Sequence, residues 1–143
     1  RPMTTKQLSI FLENKTGRIN EVTKILSKHS INMHAFSMAE TTDFGILRLI
    51  VSEVDKAVEI LRAENFAVML TDVACVTCPN ESGALSAILE QLSANEIFIE
   101  YMYAFSMEDD ACIILKTEDC NKTIDSLEAH QMELVKASQI YQI

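Results

Sequence analysis

Two glycine turns hold the residues best placed to do chemistry. Asn14-Lys15-Thr16-Gly17-Arg18-Ile19 joins a short apolar run to an amphipathic stretch. Asn80-Glu81-Ser82-Gly83-Ala84-Leu85 does the same 66 positions later. A glycine between a strand and a helix lets a ligand approach the backbone, because no Cβ stands in the way. The first amides of a helix have no partner inside it. A carboxylate docked there gains hydrogen bonds and the positive end of the helix dipole. That chemistry suits the α-carboxylate of an amino acid. Its ammonium needs carbonyls or an amide side chain, and Asn14, Asn32 and Asn80 are the candidates. The same residues also describe a plain tight turn whose helix is capped by Thr16, and a lone glycine turn does not decide between the two. A Gly17→Val change removes the site at modest cost if φ is negative there, and strains the fold if φ is positive.

Other reactive residues point less far. Cys75-x-x-Cys78 has redox spacing, but a redox pair opens a helix, where the dipole lowers the thiol pKa. Here the pair ends a strand, and positions three apart on a strand face opposite ways. Cys75, Cys78, Cys112 and Cys120 are read as space-filling thiols. His29, His34 and His130 are scattered with no zinc spacing, so no metal and no cofactor is expected. Ser, Asp and His are present without an elbow or triad spacing, so no catalytic residues are assigned. Tyr101, Tyr103 and Phe105 alternate on one face of a strand. Core packing is one reading of them; a ligand wall or a subunit interface is the other.

The elements that must position these groups repeat in register. Gln7 to Leu12 alternates as a strand, and Ile19, Val22, Ile25 and Leu26 follow at helical spacing. Strands over 31–39 and 44–51, a helix over 54–64 and a strand over 66–70 complete one unit. The second copy gives a strand over 73–77, a helix over 83–95, strands over 97–105 and 111–117, a helix over 121–130 and a strand over 133–136. Each unit reads β-α-β-β-α-β, the split βαβ pattern. Right-handed crossovers put both helices on one face of a four-stranded antiparallel sheet ordered 4-1-3-2. The fold class is α+β, two ferredoxin-like units over residues 6–71 and 72–143. The boundary Thr71-Asp72 has no Gly or Pro, so a fixed mutual geometry is expected.

Composition closes off several classes. With 48% hydrophobic residues, three Gly and two Pro in 143 residues, the chain is globular. A net charge of −9 argues against nucleic acid or an anionic membrane as partner. No stretch approaches a membrane span, and Arg1 to Thr5 do not form a signal peptide. The four Cys then fit free thiols in a reducing cytoplasm.

A strand ending in Asn-x-x-Gly, a helix of the type Ile-x-x-Val-x-x-Ile-Leu and then Ser30-Ile31-Asn32-Met33 resembles the ACT domain, a small regulatory amino-acid-binding module. The second copy is similar, from Cys78-Pro79-Asn80-Glu81-Ser82-Gly83 to the run Ile97 to Phe105, and looks like the stand-alone tandem ACT proteins. Thr16 and Ser82 stand where the family often has Pro. The family's Ile-Asn-Ile survives as Ile31-Asn32-Met33 and becomes Ile97-Phe98-Ile99. The resemblance implies a non-catalytic regulator that binds an amino acid or similar metabolite. Its site would lie between ACT-like units, where a glycine turn of one faces a strand of another. Asn14, Lys15, Thr16, Gly17, Arg18, Ile19, Asn32, Asn80, Glu81, Ser82, Gly83, Ala84, Leu85, Tyr101 and Tyr103 are the ligand-binding candidates. The rivals are a ligand-free dimerisation module of the same fold and an enzyme on a ferredoxin-like scaffold. Small units with open sheet edges also predict a homodimer. The tail Ser138 to Ile143 stands where a third unit would begin, and its alternation predicts an added strand.

Overall fold

The structure is a computed structural model that describes residues 4–13, 17–40, 43–129 and 133–134. The predicted tail strand lies outside them. Contacts divide the chain into two units. One is built on Lys6–Thr71; the other on Asp72–Gln139, together with Thr4 and Thr5.

The first unit runs β1 (Thr4–Glu13), α1 (Arg18–Lys28), β2 (Met33–Glu40), β3 (Phe44–Val51), α2 (Val54–Ala63) and the start of β4 (Ala67–Pro79). Its strand order is β2-β3-β1-β4. The second continues from β4 through α3 (Ala84–Ala94), β5 (Ile99–Met107), β6 (Asp110–Thr117), α4 (Cys120–Ala129) and β7 (Glu133–Leu134). Here β4 lies between β7 and β6, with β5 outermost. Both orders are the predicted 4-1-3-2, and β1–β3, β2–β3, β4–β6, β4–β7 and β5–β6 are all antiparallel. One difference stands out. The sequence reads two strands on either side of Thr71-Asp72, and the structure runs one strand, β4, straight through them. Neither residue is a Gly or Pro, so nothing there ends the extended backbone.

Each core lies between helices and sheet. In the first unit Leu8, Ile10, Leu12, Leu47, Leu49 and Val51 alternate inward and meet Val22 and Leu26 of α1 and Ala57, Val58 and Leu61 of α2. Leu61 is fully buried, and its loss to Ala is worth about 2–5 kcal/mol. The second unit repeats this with Ala74, Val76, Cys78, Ile113 and Leu115 against Ile88, Leu92, Ile124 and Leu127.

Three helices end alike. After α1 the amide of Ile31 donates to Leu26 and that of Ser30 to Ser27, at 2.9 and 3.0 Å. Phe66 and Asn65 repeat this onto Leu61 and Arg62, and Ile97 and Glu96 onto Leu92 and Ser93. These are Schellman motifs, whose turning residue adopts the left-handed conformation and is usually Gly. Here it is Ser30 (φ 57°), Asn65 (φ 67°) and Glu96 (φ 57°). In each case the next residue tucks an apolar side chain beside the last helical turn, which offsets the backbone cost.

The edge strands share one irregularity. Met33 pairs with Val51 and Ala35 with Ile50, so His34 is an extra residue in β2. In β5, Ile99 pairs with Thr117 and Tyr101 with Lys116, so Glu100 is extra. A bulge of this kind reverses which way the following side chains point. Ile99 therefore packs on the helix side, while Tyr101, Tyr103 and Phe105 stand half-buried beside Lys116, Ile114 and Cys112 on the helix-free side.

Candidate functional site

Gly17 and Gly83 are the N-cap residues of α1 and α3, with φ/ψ of 90°/−5° and 87°/−15°. Their carbonyls accept the first helical bonds, from Glu21 at 3.0 Å and Ala87 at 3.1 Å. Among the described residues neither helix has a side-chain cap. The sequence reading put Thr16 in that role; the cap position belongs to Gly17, which has no side chain, and Thr16 lies outside the described residues with Asn14 and Lys15. The positive φ also settles the condition on Gly17→Val: a β-branched residue is strained there.

Every residue of the second turn is described. The amide of Ala84 donates to the Glu81 carbonyl at 3.3 Å, closing a four-residue turn with Gly83 third. Ser82 is not among the residues with positive φ, so the geometry is type II, which requires a Gly or Asn at that third position. Pro is common at the second position of such turns because its fixed φ fits. Ser82 occupies that position without the ring. The turn is held from below by the Asn80 amide donating to Asp109, at 3.2 Å, and the Glu81 amide donating to Pro79, at 2.8 Å. Asp109 was not singled out in the sequence; the β4–β6 pairing, which sets Pro79 opposite Asp110, brings it to Asn80.

The surroundings of the two turns differ. Beside Gly17, the Arg18 guanidinium donates to Glu21 at 2.7 Å, lies 3.8 Å from Glu13 and covers the Phe66 ring at 5.0 Å from its centre. Glu21 was readable as an i,i+3 partner; Glu13 and Phe66 needed the fold. In the second copy Ala84 and Leu85 stand at the places of Arg18 and Ile19, and both pack against the core. Ile19 is exposed. Among the described residues, a Cβ built on Gly17 or Gly83 meets no atom within 4 Å. Neither glycine is demanded by crowding; both are demanded by backbone conformation, and both leave open space in front of the turn.

Not every candidate joins these turns. Asn32 follows the far end of α1, whose 11 residues span about 16 Å. Its amide and carbonyl bond to Ser52, each at 3.0 Å. A groove of about 260 Å³ near it is lined by Thr23, Ser27, Ser30 and Met33. Tyr101 and Tyr103 lie on the helix-free face of β5, six and four residues back from Met107, about 20 and 13 Å along the strand. Asn80, Glu81, Ser82, Gly83, Ala84 and Leu85 are together; Gly17, Arg18 and Ile19 are together.

The cysteines fill space. Cys75 and Cys112 are buried on one face of the second unit's strands, and Cys78 lies in the helix-side core. Cys75 lies 3.7 Å from the Thr5 hydroxyl. A hydrogen bond with Cys75, then burial, pushes the Cys112 thiol well above the usual range. Burial, then the charge of Asp72, raises Cys120. Such thiols stay protonated and unreactive. Among the described residues no group of three His, Cys, Asp or Glu is placed to hold a metal, and no helix is long and apolar enough to cross a membrane.

A family model described as an ACT domain pair matches residues 3–143. The chain belongs to the ACT domain pair family. Such a pair is a regulatory module, and the glycine turns are the strand-to-helix turns of its two ACT units. A crystal structure of a protein from Bacteroides thetaiotaomicron is 48% identical, with a TM-score of 0.94, covering 99% of this chain and 98% of that one. The regulatory subunit of aspartate kinase from Thermus thermophilus, in a ligand-free form, superposes with a TM-score of 0.66 over 89% of this chain and 92% of its own, at 14% identity. That from Thermus flavus gives 0.62 over the same shares at 12% identity. At those identities the two subunits speak to the ACT fold alone. No curated protein matches the chain at a significant level.

Proposed function

We propose that the chain is a non-catalytic regulatory protein that binds an amino acid, or a small metabolite of the same zwitterionic form. The ligand docks at a glycine turn and is enclosed by a second ACT-like unit. One observation carries the reading. At Gly17 and Gly83 the backbone turns with positive φ into a helix N-terminus, and none of the described residues stands within 4 Å of the missing Cβ. The open volume, the amides of the first helical turn and the dipole suit a carboxylate. Asn14, Lys15, Thr16, Gly17, Arg18 and Ile19 serve the first site; Asn80, Glu81, Ser82, Gly83, Ala84 and Leu85 serve the second. Asn32, Tyr101 and Tyr103 are reserved for the enclosing face. The cytoplasmic assignment rests on four cysteines that stand as thiols.

A thermal-shift panel of the twenty amino acids tests the proposal. A ligand present at a hundred times its Kd stabilises the native state by about 2.7 kcal/mol. One or a few amino acids should therefore raise the melting temperature by several degrees. If none does so at about 10 mM, the binding reading falls. The ligand-free dimerisation module would then gain ground. It has its own observation: Phe36 of β2 is 67% exposed, Met38 two residues on is exposed, and so, in the second unit, is Met102 of β5 at the position matching Phe36. Those apolar groups lie on outer strands, and they support the homodimer in either reading.

A further inference from the structure

The second unit holds a cavity of about 450 Å³ at the opposite end of α3 from Gly83. Glu96, Ile97 and Phe98 line it from the α3–β5 connection, Glu118 and Asp119 from the β6–α4 connection, and Lys122 from the first turn of α4. The corresponding place in the first unit is bridged. There Asn32 and Ser52 exchange two hydrogen bonds at 3.0 Å, and the Lys56 ammonium donates to the His29 carbonyl at 3.2 Å. Sixty-six positions on, Phe98 and Glu118 replace Asn32 and Ser52, and Asn95 replaces His29. Asn95 turns its side chain to the Gln91 carbonyl of its own helix instead. The second copy lacks this bridge among the described residues and has an aromatic ring, Phe98, 76% exposed, at the mouth.

The charges on the walls choose the ligand. Three carboxylates face one ammonium. The helix N-terminus at this end does not invite an anion, because Asp119 already occupies it. Its carboxylate accepts from the Lys122 amide at 3.1 Å, and its carbonyl from the Thr123 amide at 3.1 Å. Among the described residues the Glu118 carboxylate and the Lys122 ammonium have no hydrogen bond or ion pair. An exposed aromatic face beside unpaired carboxylates attracts an organic cation, and a chain of net charge −9 concentrates cations around it. We propose that this cavity binds a small organic cation with an ammonium or guanidinium head, held over Phe98 between Glu96 and Glu118. This site is separate from the glycine turns and does not depend on their reading.

Agmatine is the probe, because it has a guanidinium and an ammonium but no carboxylate to enter a glycine turn. Titrated into the full chain, it should shift the ring resonances of Phe98 saturably, and acetate should leave them unmoved. Phe98→Ala and Glu118→Gln, both at exposed positions, should each weaken binding about threefold to fivefold. Raising salt from about 20 to about 200 mM should weaken it further. Gly83→Asn should leave agmatine affinity unchanged. The proposal is overturned if Phe98 does not respond to agmatine, or if both cavity variants bind it as the parent does. It is equally overturned if Phe98→Ala alters sedimentation while agmatine affinity stays the same, since the ring then serves a protein contact.

Discussion

Replacing Gly83 separates backbone strain from ligand space, because the structure assigns the two effects to different substitutions. At φ 87° an L-residue brings its Cβ against the neighbouring carbonyl at a cost of about 1–2 kcal/mol. No further clash adds to this, since nothing lies within 4 Å of the new Cβ. Gly83→Ala should therefore cost about 1–2 kcal/mol. For a chain of this length each kcal/mol lowers the melting temperature by about 4 °C, so the drop should be about 4–8 °C. Gly83→Val should cost more, because β-branching stiffens the strained residue. Gly83→Asn should cost less than Ala, since Asn tolerates this conformation. Asn nevertheless fills the open space, so it should abolish the ligand response at this turn in a thermal-shift assay while keeping most of the stability. Gly17, at φ 90°, should behave alike. If Gly83→Ala melts within about 1 °C of the parent, the left-handed turn is not the conformation in solution. If Gly83→Asn and Gly17→Asn together keep the full ligand response, the turns are not the sites.

Two further outcomes follow from features away from the turns. Ser30→Gly and Glu96→Gly place the preferred residue at left-handed helix ends and should each raise stability by about 1 kcal/mol, read as Cm in urea unfolding. A loss in both would show that their side chains matter more than their backbone. Cys112 and Cys120 have thiol pKa values raised in the folded state, so the unfolded chain loses those protons first, near pH 8.5. Their contribution is whole below that pH and declines as pH rises above it. Melting temperature should fall between pH 7.5 and 10, and less steeply in Cys112→Ala; equal slopes would refute the assignment.

The order of elements was legible because the apolar period changes cleanly between strand and helix and because the second copy confirms the first. β3 over Phe44–Val51 and the start of α2 at Val54 agree to the residue. What could not be read was conformation and reach. No local signal distinguishes a glycine at φ 90° from one at negative φ, so the cost of Gly17→Val had to wait. Asn32 looked like a partner for Gly17 by chemistry, but a helix stands between them, and sequence distance does not say which end a loop occupies. The row Ile99-Tyr101-Tyr103-Phe105 reads as one unbroken alternation. The bulge at Glu100 sends Ile99 to the other face, and that choice is made by pairing with Thr117 and Lys116, not by the row itself.

That bulge also dates itself. His34 and Glu100 are unlike in size and charge, and their neighbours differ. Glu100 is tied to Lys116 at 2.6 Å, while His34 falls at the step between Val51 and Ile50. Yet the extra residue stands at the same offset of 66 in both copies. Two independent insertions at one register position are less economical than one. The irregularity was therefore already present in the ancestral half before the gene doubled, and the side chains diverged around it afterwards. Each copy should tolerate almost any residue at this point, and even its deletion, because Met33 and Ala35, like Ile99 and Tyr101, already pair with consecutive partners; drawing the extra residue into the ladder is what would turn the rest of the strand inside out.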